Sequence, residues 1–135
     1  PESDVVTMVV ERDPRLRTMA VFDALANNAD RKGGHILPMT DGHVYGVDHG
    51  ICFAVEPKLR TVLWGWRGDA LSDEEVGVVR GVCEALDDGP LEAELRALLT
   101  AEEVRATRRR ADALLSSGRF PEPDPSRPAL PWPPF

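Results

Sequence analysis

The sequence has no apolar run approaching the ~18 residues that span a bilayer, which excludes a transmembrane helix of ordinary length. It also lacks the basic and apolar leader of a secretory signal, and it does not begin with Met, so a trimmed or partial chain is expected. Cysteine is scarce. Cys52 and Cys83 have no CxxC spacing and sit among apolar neighbours, which points to buried free thiols in a reducing cytosol rather than to a disulfide scaffold. Positive charge is in deficit, with 16 Lys and Arg against 23 Asp and Glu and a formal net charge of −7. That balance argues against general binding to nucleic acid or anionic membrane, which depends on neutralising phosphates, but leaves room for a local basic patch that holds a phosphate.

What is present is ordinary for a single globular domain. The chain has 135 residues, 42% of them hydrophobic, enough for one buried core. The β-branched run from Asp4 to Val10 predicts a short strand or an extended entry segment. Asp13-Pro14 is a helix start, and Leu16, Met19, Ala20, Phe22 and Leu25 carry a helical spacing as far as Asn27-Asn28. Residues 28–34 read as a loop. Two short strands then flank Asp41-Gly42, a dipeptide favoured in tight hairpin turns. After an irregular stretch, Ser72 with Glu75 predicts a capped helix to about Leu86. Pro90 opens a second, and Thr100 with Glu103 caps a third that runs to about Ser117 before Gly118. Residues 121–135 hold seven of the twelve prolines and form a polyproline-like tail. The fold class expected is mostly α with a small β-hairpin, an α+β arrangement.

A two-residue turn at Asp41-Gly42 fixes a register in which Thr40 pairs with His43, Ile36 with Val47, and His35 with Asp48. Directly opposed residues have Cβ atoms about 5 Å apart. An imidazole and a carboxylate would then meet at the open end of the ribbon, with Asp30 in the preceding loop close enough to join them. Three polar groups on one spot can chelate a divalent cation. Two alternatives remain: a zinc site that also recruits His43 and His49, and a plain strand exit beside a solvated loop.

The ordered set Asn28-Ala-Asp-Arg-Lys-Gly-Gly-His-Ile-Leu, a hairpin, and Val47-Asp-His-Gly-Ile-Cys-Phe resembles the catalytic and metal-binding loops of the phosphatidylinositol 3-/4-kinase-like family. The type II phosphatidylinositol 4-kinases are the nearest well-known branch, and a group of actinobacterial proteins carries almost the same wording. Leu63-Trp-Gly-Trp is similar to a tryptophan-containing stretch after the Asp-x-Gly of that branch. The resemblance implies the C-terminal lobe of a kinase-like fold over residues 1–120. Its catalytic loop would be 28–35, its metal loop 48–50, its activation-type loop 51–68 and its helices 72–117, with the tail at 121–135. It implies ATP and Mg²⁺ or Mn²⁺ as cofactors and transfer of a phosphoryl group to a lipid headgroup or a protein hydroxyl, in the cytoplasm. Asp30 would orient the acceptor and take its proton, and Asp48 would be the principal metal ligand. His35 would be a second ligand, standing where the family has Asn; imidazole suits Mn²⁺ or Zn²⁺ better than Mg²⁺. Arg31 or Lys32 would screen the transferring phosphoryl group, and Lys58 and Arg60 would contact an anionic substrate. No glycine-rich phosphate loop and no strand Lys with an acidic partner is found, so an amino-terminal lobe is expected upstream. The alternative is a non-catalytic nucleotide- and metal-binding pseudokinase or scaffold.

Three further features carry expectations. Trp64 and Trp66 alternate and would point opposite ways if the segment were extended; a buried anchor is the preferred reading and a ligand platform the other. Arg105, Arg108, Arg109 and Arg110 form a solvated helix face near Glu102 and Glu103, with a docking surface as the alternative. The tail folds back so that Trp132 covers the protein's own core, because exposed Trp and Phe are costly; docking to a partner in extended form is the other reading.

Overall fold

The computed structural model describes residues 2–135. Five α-helices and one two-stranded antiparallel sheet follow in the order α1 (Glu2–Val10), α2 (Arg17–Ala26), β1 (Ile36–Pro38), β2 (Val44–Gly46), α3 (Asp73–Ala85), α4 (Pro90–Arg96) and α5 (Ala101–Ser117). Short 3₁₀ turns lie at Pro14–Leu16, Gly33–His35 and Trp64–Trp66. The α+β class expected from the sequence is what the chain adopts.

Local signals set most helix ends. The Asp13 carboxylate accepts from the Arg15 amide at 3.0 Å, and the helix that follows stops at Asn27 in the left-handed region. The Ser72 hydroxyl accepts from the Glu75 amide at 3.1 Å while the Glu75 carboxylate accepts from the Ser72 amide at 2.7 Å. Thr100 and Glu103 repeat this exchange at the start of α5, which ends at Gly118 with φ +64°. Each reciprocal cap satisfies two amides that a helix terminus otherwise leaves bare. Glu75 also receives Arg17 at 2.7 and 2.9 Å, tying α3 to α2. α3 and α2 both pack on α5, around a core that includes Leu16, Val79 and Ala111, all fully buried.

The strand expected at Asp4–Val10 is instead α1. Val5 and Met8 are buried and Val9 packs beside them, a stripe at helical spacing that lies against β1 and the turn at Gly33–His35. The β-branched bias of the segment costs only a few tenths of a kcal/mol per residue in a helix, less than burying one apolar side chain returns.

The hairpin forms, but its register differs by one residue from the expectation. Ile36 faces Gly46, Leu37 faces Tyr45 and Pro38 faces Val44. The loop has three residues, Thr40-Asp41-Gly42. Met39 donates to the His43 carbonyl at 2.8 Å, and Gly42 donates to the Met39 carbonyl at 3.1 Å. A two-residue type I′ turn needs positive φ at both central residues. Here Gly42 alone has it, at +89°, which matches the three-residue loop with glycine in the left-handed position.

The tail folds back as expected, by a different contact. The Ala129 carbonyl accepts from the Thr61 amide and the Trp64 indole, and the Pro134 carbonyl accepts from the Gly33 amide. Trp132 does not cover the core; it is 88% exposed. The Phe135 ring lies instead where a side chain on Gly33 would have to go. Trp64 and Trp66 are not extended. They sit in one 3₁₀ turn, with Trp66 buried near Phe120 and Trp64 half-buried.

A fully buried ion pair fixes the loop after α2. The Arg31 guanidinium donates to both oxygens of Asp23 at 2.9 to 3.2 Å, and neither side chain is more than 1% exposed. Asn28 donates to the same carboxylate at 3.1 Å and Thr61 approaches it at 3.5 Å. Arg31 is therefore not a surface cation screening a phosphoryl group, which corrects the role expected from the resemblance. Removing one member of a buried pair leaves an uncompensated charge, at a cost of about 3–5 kcal/mol. Asp23→Ala is expected to lower stability by about that amount in a urea titration, and far more than Asp124→Ala in the exposed tail.

Candidate functional site

The loop from Asn28 to His35 is held on both sides by main-chain bonds. Ala29 donates to the Ile51 carbonyl, Arg31 to that of Arg60, and Val62 to that of Arg31. Asn28 caps the first turn, its side-chain oxygen accepting from the Asp30 amide at 2.9 Å. This frame presents Asp30, Lys32 and His35 on one short arc.

His35 and Asp48 do meet, by a route the expected register did not contain. In the ladder, the Val47 amide donates to the His35 carbonyl at 2.9 Å, so His35 lies opposite Val47. Asp48 follows with φ +58°, and this left-handed residue takes the chain out of the ladder. Its carboxylate comes to 3.4 Å from His35 Nε2. The other ring nitrogen, Nδ1, lies 2.8 Å from the main-chain carbonyl of Asp30. The Lys32 amide also points at Nδ1, at 3.4 Å, so this nitrogen is held between a main-chain acceptor and a main-chain donor while Nε2 faces Asp48.

The three-way convergence does not form. Asp30 reaches His35 through its main chain, while its carboxylate lies 3.9 Å from the Lys32 ammonium. Among the described residues, no three His, Cys, Asp or Glu side chains stand together in a group able to hold a metal ion. His43 stacks on Tyr45 at 4.2 Å beside the turn. His49 packs edge-on against Phe22 and accepts from Arg31 at 2.7 Å through Nε2. Lys32 also reaches the Trp132 carbonyl at 3.5 Å, so the tail lies along this arc.

Lys58 and Arg60 line a separate cavity of about 530 Å³, whose wall includes none of Asp30, His35 and Asp48. The arginines of α5 divide. Arg108 pairs with Asp112 and Asp87, whereas Arg110 turns inward and donates to the carbonyls of Leu25 and Ala54, which corrects its expected place on a solvated face. Both cysteines are free, Cys83 buried and Cys52 only half-buried. Burial pushes the Cys52 thiol up to about 11, away from a reactive thiolate.

Sequence reasoning missed Asp23, on which the loop depends. Its signal was present: Asp23 shares the apolar stripe of α2 with Leu16, Ala20 and Ala24, and a charge on a buried stripe implies a buried partner.

Over 132 residues, 98% of this chain, the sequence is 54% identical to Protein Rv2133c of Mycobacterium tuberculosis. The chain spans 47% of that protein, about half its length. No family model matches the chain, and no solved structure matches it. No helix among the described residues is long and apolar enough to cross a membrane.

Burial of one ring edge, and the Arg31 guanidinium next to it, hold the His49 pKa below its usual 6.5. The folded protein therefore binds fewer protons than the unfolded chain just below pH 6.5, and stability decreases as the pH is lowered through that window. Because much of the ring is open to solvent, the slope is expected to be shallow. His49→Gln keeps an acceptor for Arg31 and should remove this part of the slope in urea titrations between pH 7.5 and 5.

Proposed function

We propose that this chain is the catalytic-loop half of an ATP- and divalent-metal-dependent phosphotransferase of the phosphatidylinositol 3-/4-kinase-like type, acting on a lipid headgroup or a protein hydroxyl. The observation that carries the reading is the pairing of His35 with Asp48, next to an arc that bears Asp30 and Lys32. His35 Nε2 and an Asp48 carboxylate oxygen stand 3.4 Å apart, close enough for one cation to bridge them. The donor set fits such an ion. His35 Nε2 and the Asp48 carboxylate would hold it, and a nitrogen donor suits Mn²⁺ better than Mg²⁺. When bound, the ion would neutralise charge on the triphosphate.

The chain's own residues supply the rest. The acceptor hydroxyl attacks the γ-phosphorus, the bond to the bridging oxygen breaks, ADP leaves, and the Asp30 carboxylate takes the hydroxyl proton. Lys32 would offset charge on the phosphoryl group. The main chain of Asp30 and Lys32 orients the His35 ring through Nδ1, as an outer contact orients a metal-ligating histidine. Residues for gripping the nucleotide's other phosphates are not identified in this sequence, and the remaining length of the related protein is where they would be sought.

A second reading, a nucleotide- and metal-binding pseudokinase, is favoured by the tail. It occupies the Gly33 amide and engages Lys32, both on the arc where the phosphoryl group would sit.

The test uses the full-length gene product with γ-labelled ATP, Mn²⁺ or Mg²⁺, and either phosphatidylinositol vesicles or the protein itself as acceptor. Transfer is expected, with Asp30→Ala and Asp48→Ala each lowering it by at least about a hundredfold. His35→Asn should shift the preferred ion from Mn²⁺ toward Mg²⁺. Saturable binding of ATP and metal without transfer would favour the pseudokinase. Transfer that survives both aspartate substitutions would overturn the phosphotransferase reading.

A further inference from the structure

We infer that the cavity between α5, the segment 55–60 and the start of the tail is a binding site for a small organic anion, one with an acidic head and an apolar body. It is independent of the phosphotransfer reading, because it uses none of Asp30, His35 and Asp48. Its volume of about 530 Å³ lies within the range of small-molecule sites.

Charge is the first argument. The chain as a whole is strongly acidic, yet six of its 16 Lys and Arg line this one cavity: Lys58, Arg60, Arg109, Arg110, Arg119 and Arg127. Only two acids, Glu122 and Asp124, share the wall, and Asp124 is already engaged by Ser126 and Arg127. A concave surface of one sign with low-dielectric walls concentrates the opposite charge.

The state of the arginines is the second. Arg110 is pinned by three neutral acceptors: the Leu25 carbonyl at 2.7 Å, the Ala54 carbonyl at 3.1 Å and the Thr107 hydroxyl at 3.0 Å. Among the described residues no carboxylate joins it. A guanidinium has five N–H groups, so two are not used by these bonds. Burial, with Arg109 next to it, pulls the Arg110 pKa down to about 10, the response of a cation held without a counter-charge. Arg60 adds a buried Nε that has no hydrogen-bond partner. Such an atom costs free energy unless something completes it. An anion in the cavity supplies the counter-charge that both arginines lack, and the fork of a guanidinium fits a carboxylate or phosphate in bidentate fashion.

The third argument is the remainder of the lining. Val55, Leu59, Trp64, Leu114 and Pro128 give the cavity an apolar wall, with the Trp64 indole fixed by its bond to Ala129. A bare inorganic ion would leave that wall wet. A phosphate or carboxylate on an aromatic or aliphatic body fills both parts.

The experiment is calorimetric titration of the chain with phenyl phosphate, inorganic phosphate and benzyl alcohol. Phenyl phosphate is expected to bind at one site with Kd below about 1 mM, at least about tenfold tighter than inorganic phosphate, while the neutral alcohol does not bind measurably. Benzoate in place of phenyl phosphate tells whether the head is a phosphate or any anion. Arg60→Gln and Lys58→Gln, which remove no bond that holds the fold, should each weaken binding by about tenfold, and Arg80→Gln on exposed α3 should not. Arg110→Gln serves as a further variant, read only with circular dichroism showing an intact fold. Failure of phenyl phosphate to bind, equal affinity for inorganic phosphate, or equal losses in Arg80→Gln and Arg60→Gln would each overturn the assignment.

Discussion

The Asp23–Arg31 pair is the constraint from which the candidate site takes its position. One guanidinium, buried without solvent, joins α2 through Asp23 and approaches the carbonyls of His35 and Val47 at 3.5 and 3.4 Å. It also donates to His49, beyond the hairpin. Every piece that carries a polar residue of the site is therefore referenced to a single side chain on the apolar face of a helix. Burying two charges costs several kcal/mol per ion before their attraction is counted, and an apolar pair of equal volume is often no less stable. What an apolar pair cannot do is direct a fork of donors at several acceptors at once. The pair's value here is geometric, since only one placement of the loop satisfies the guanidinium.

Local chemistry made much of the fold legible. Ser72 with Glu75, Thr100 with Glu103, Asp13-Pro14 and Gly118 act through bonds only a few residues long, so their meaning survives without knowledge of tertiary structure. Three features needed more. The segment from Asp4 to Val10 carries side chains that serve a strand or a helix, and what decides between them is a neighbour some 25 residues on, the turn at Gly33–His35 and the strand after it. Asp41-Gly42 fits a two-residue turn and also the end of a three-residue loop; here the Arg15 guanidinium donates to the Gly42 carbonyl at 3.2 Å, a contact between distant parts of the chain. Arg31 looked like a surface cation in a polar loop because its partner is eight residues away on another element.

The approach of His35 to Asp48 shows how a register error can leave a contact intact. A strand reverses the face of its side chains at each residue, so a slip of one should have separated the two groups. It did not, because Asp48 no longer belongs to the strand. Its left-handed backbone, uncommon for a non-glycine residue but tolerated by Asp, turns the chain at the point where pairing ends. The contact therefore depends on a single backbone conformation rather than on a run of ladder bonds.

The tail and the cationic cavity are linked by the same segment, and this bears on how the two sites communicate. Residues 121–128 form part of the cavity wall, Ala129 receives Thr61 and Trp64, and Pro134 and Phe135 lie on Gly33. Thr61 is also the residue whose hydroxyl approaches the Asp23 carboxylate at 3.5 Å. The tail's first half is thus joined through Ala129 to Thr61, which borders the buried network. Proline-rich chain suits that role, because a segment with φ fixed at most positions loses little further freedom on docking and moves as a stiff strap. The geometry thus ties the arc of Asp30, Lys32 and His35 to a cavity that shares none of its residues, through a connection made of main-chain bonds.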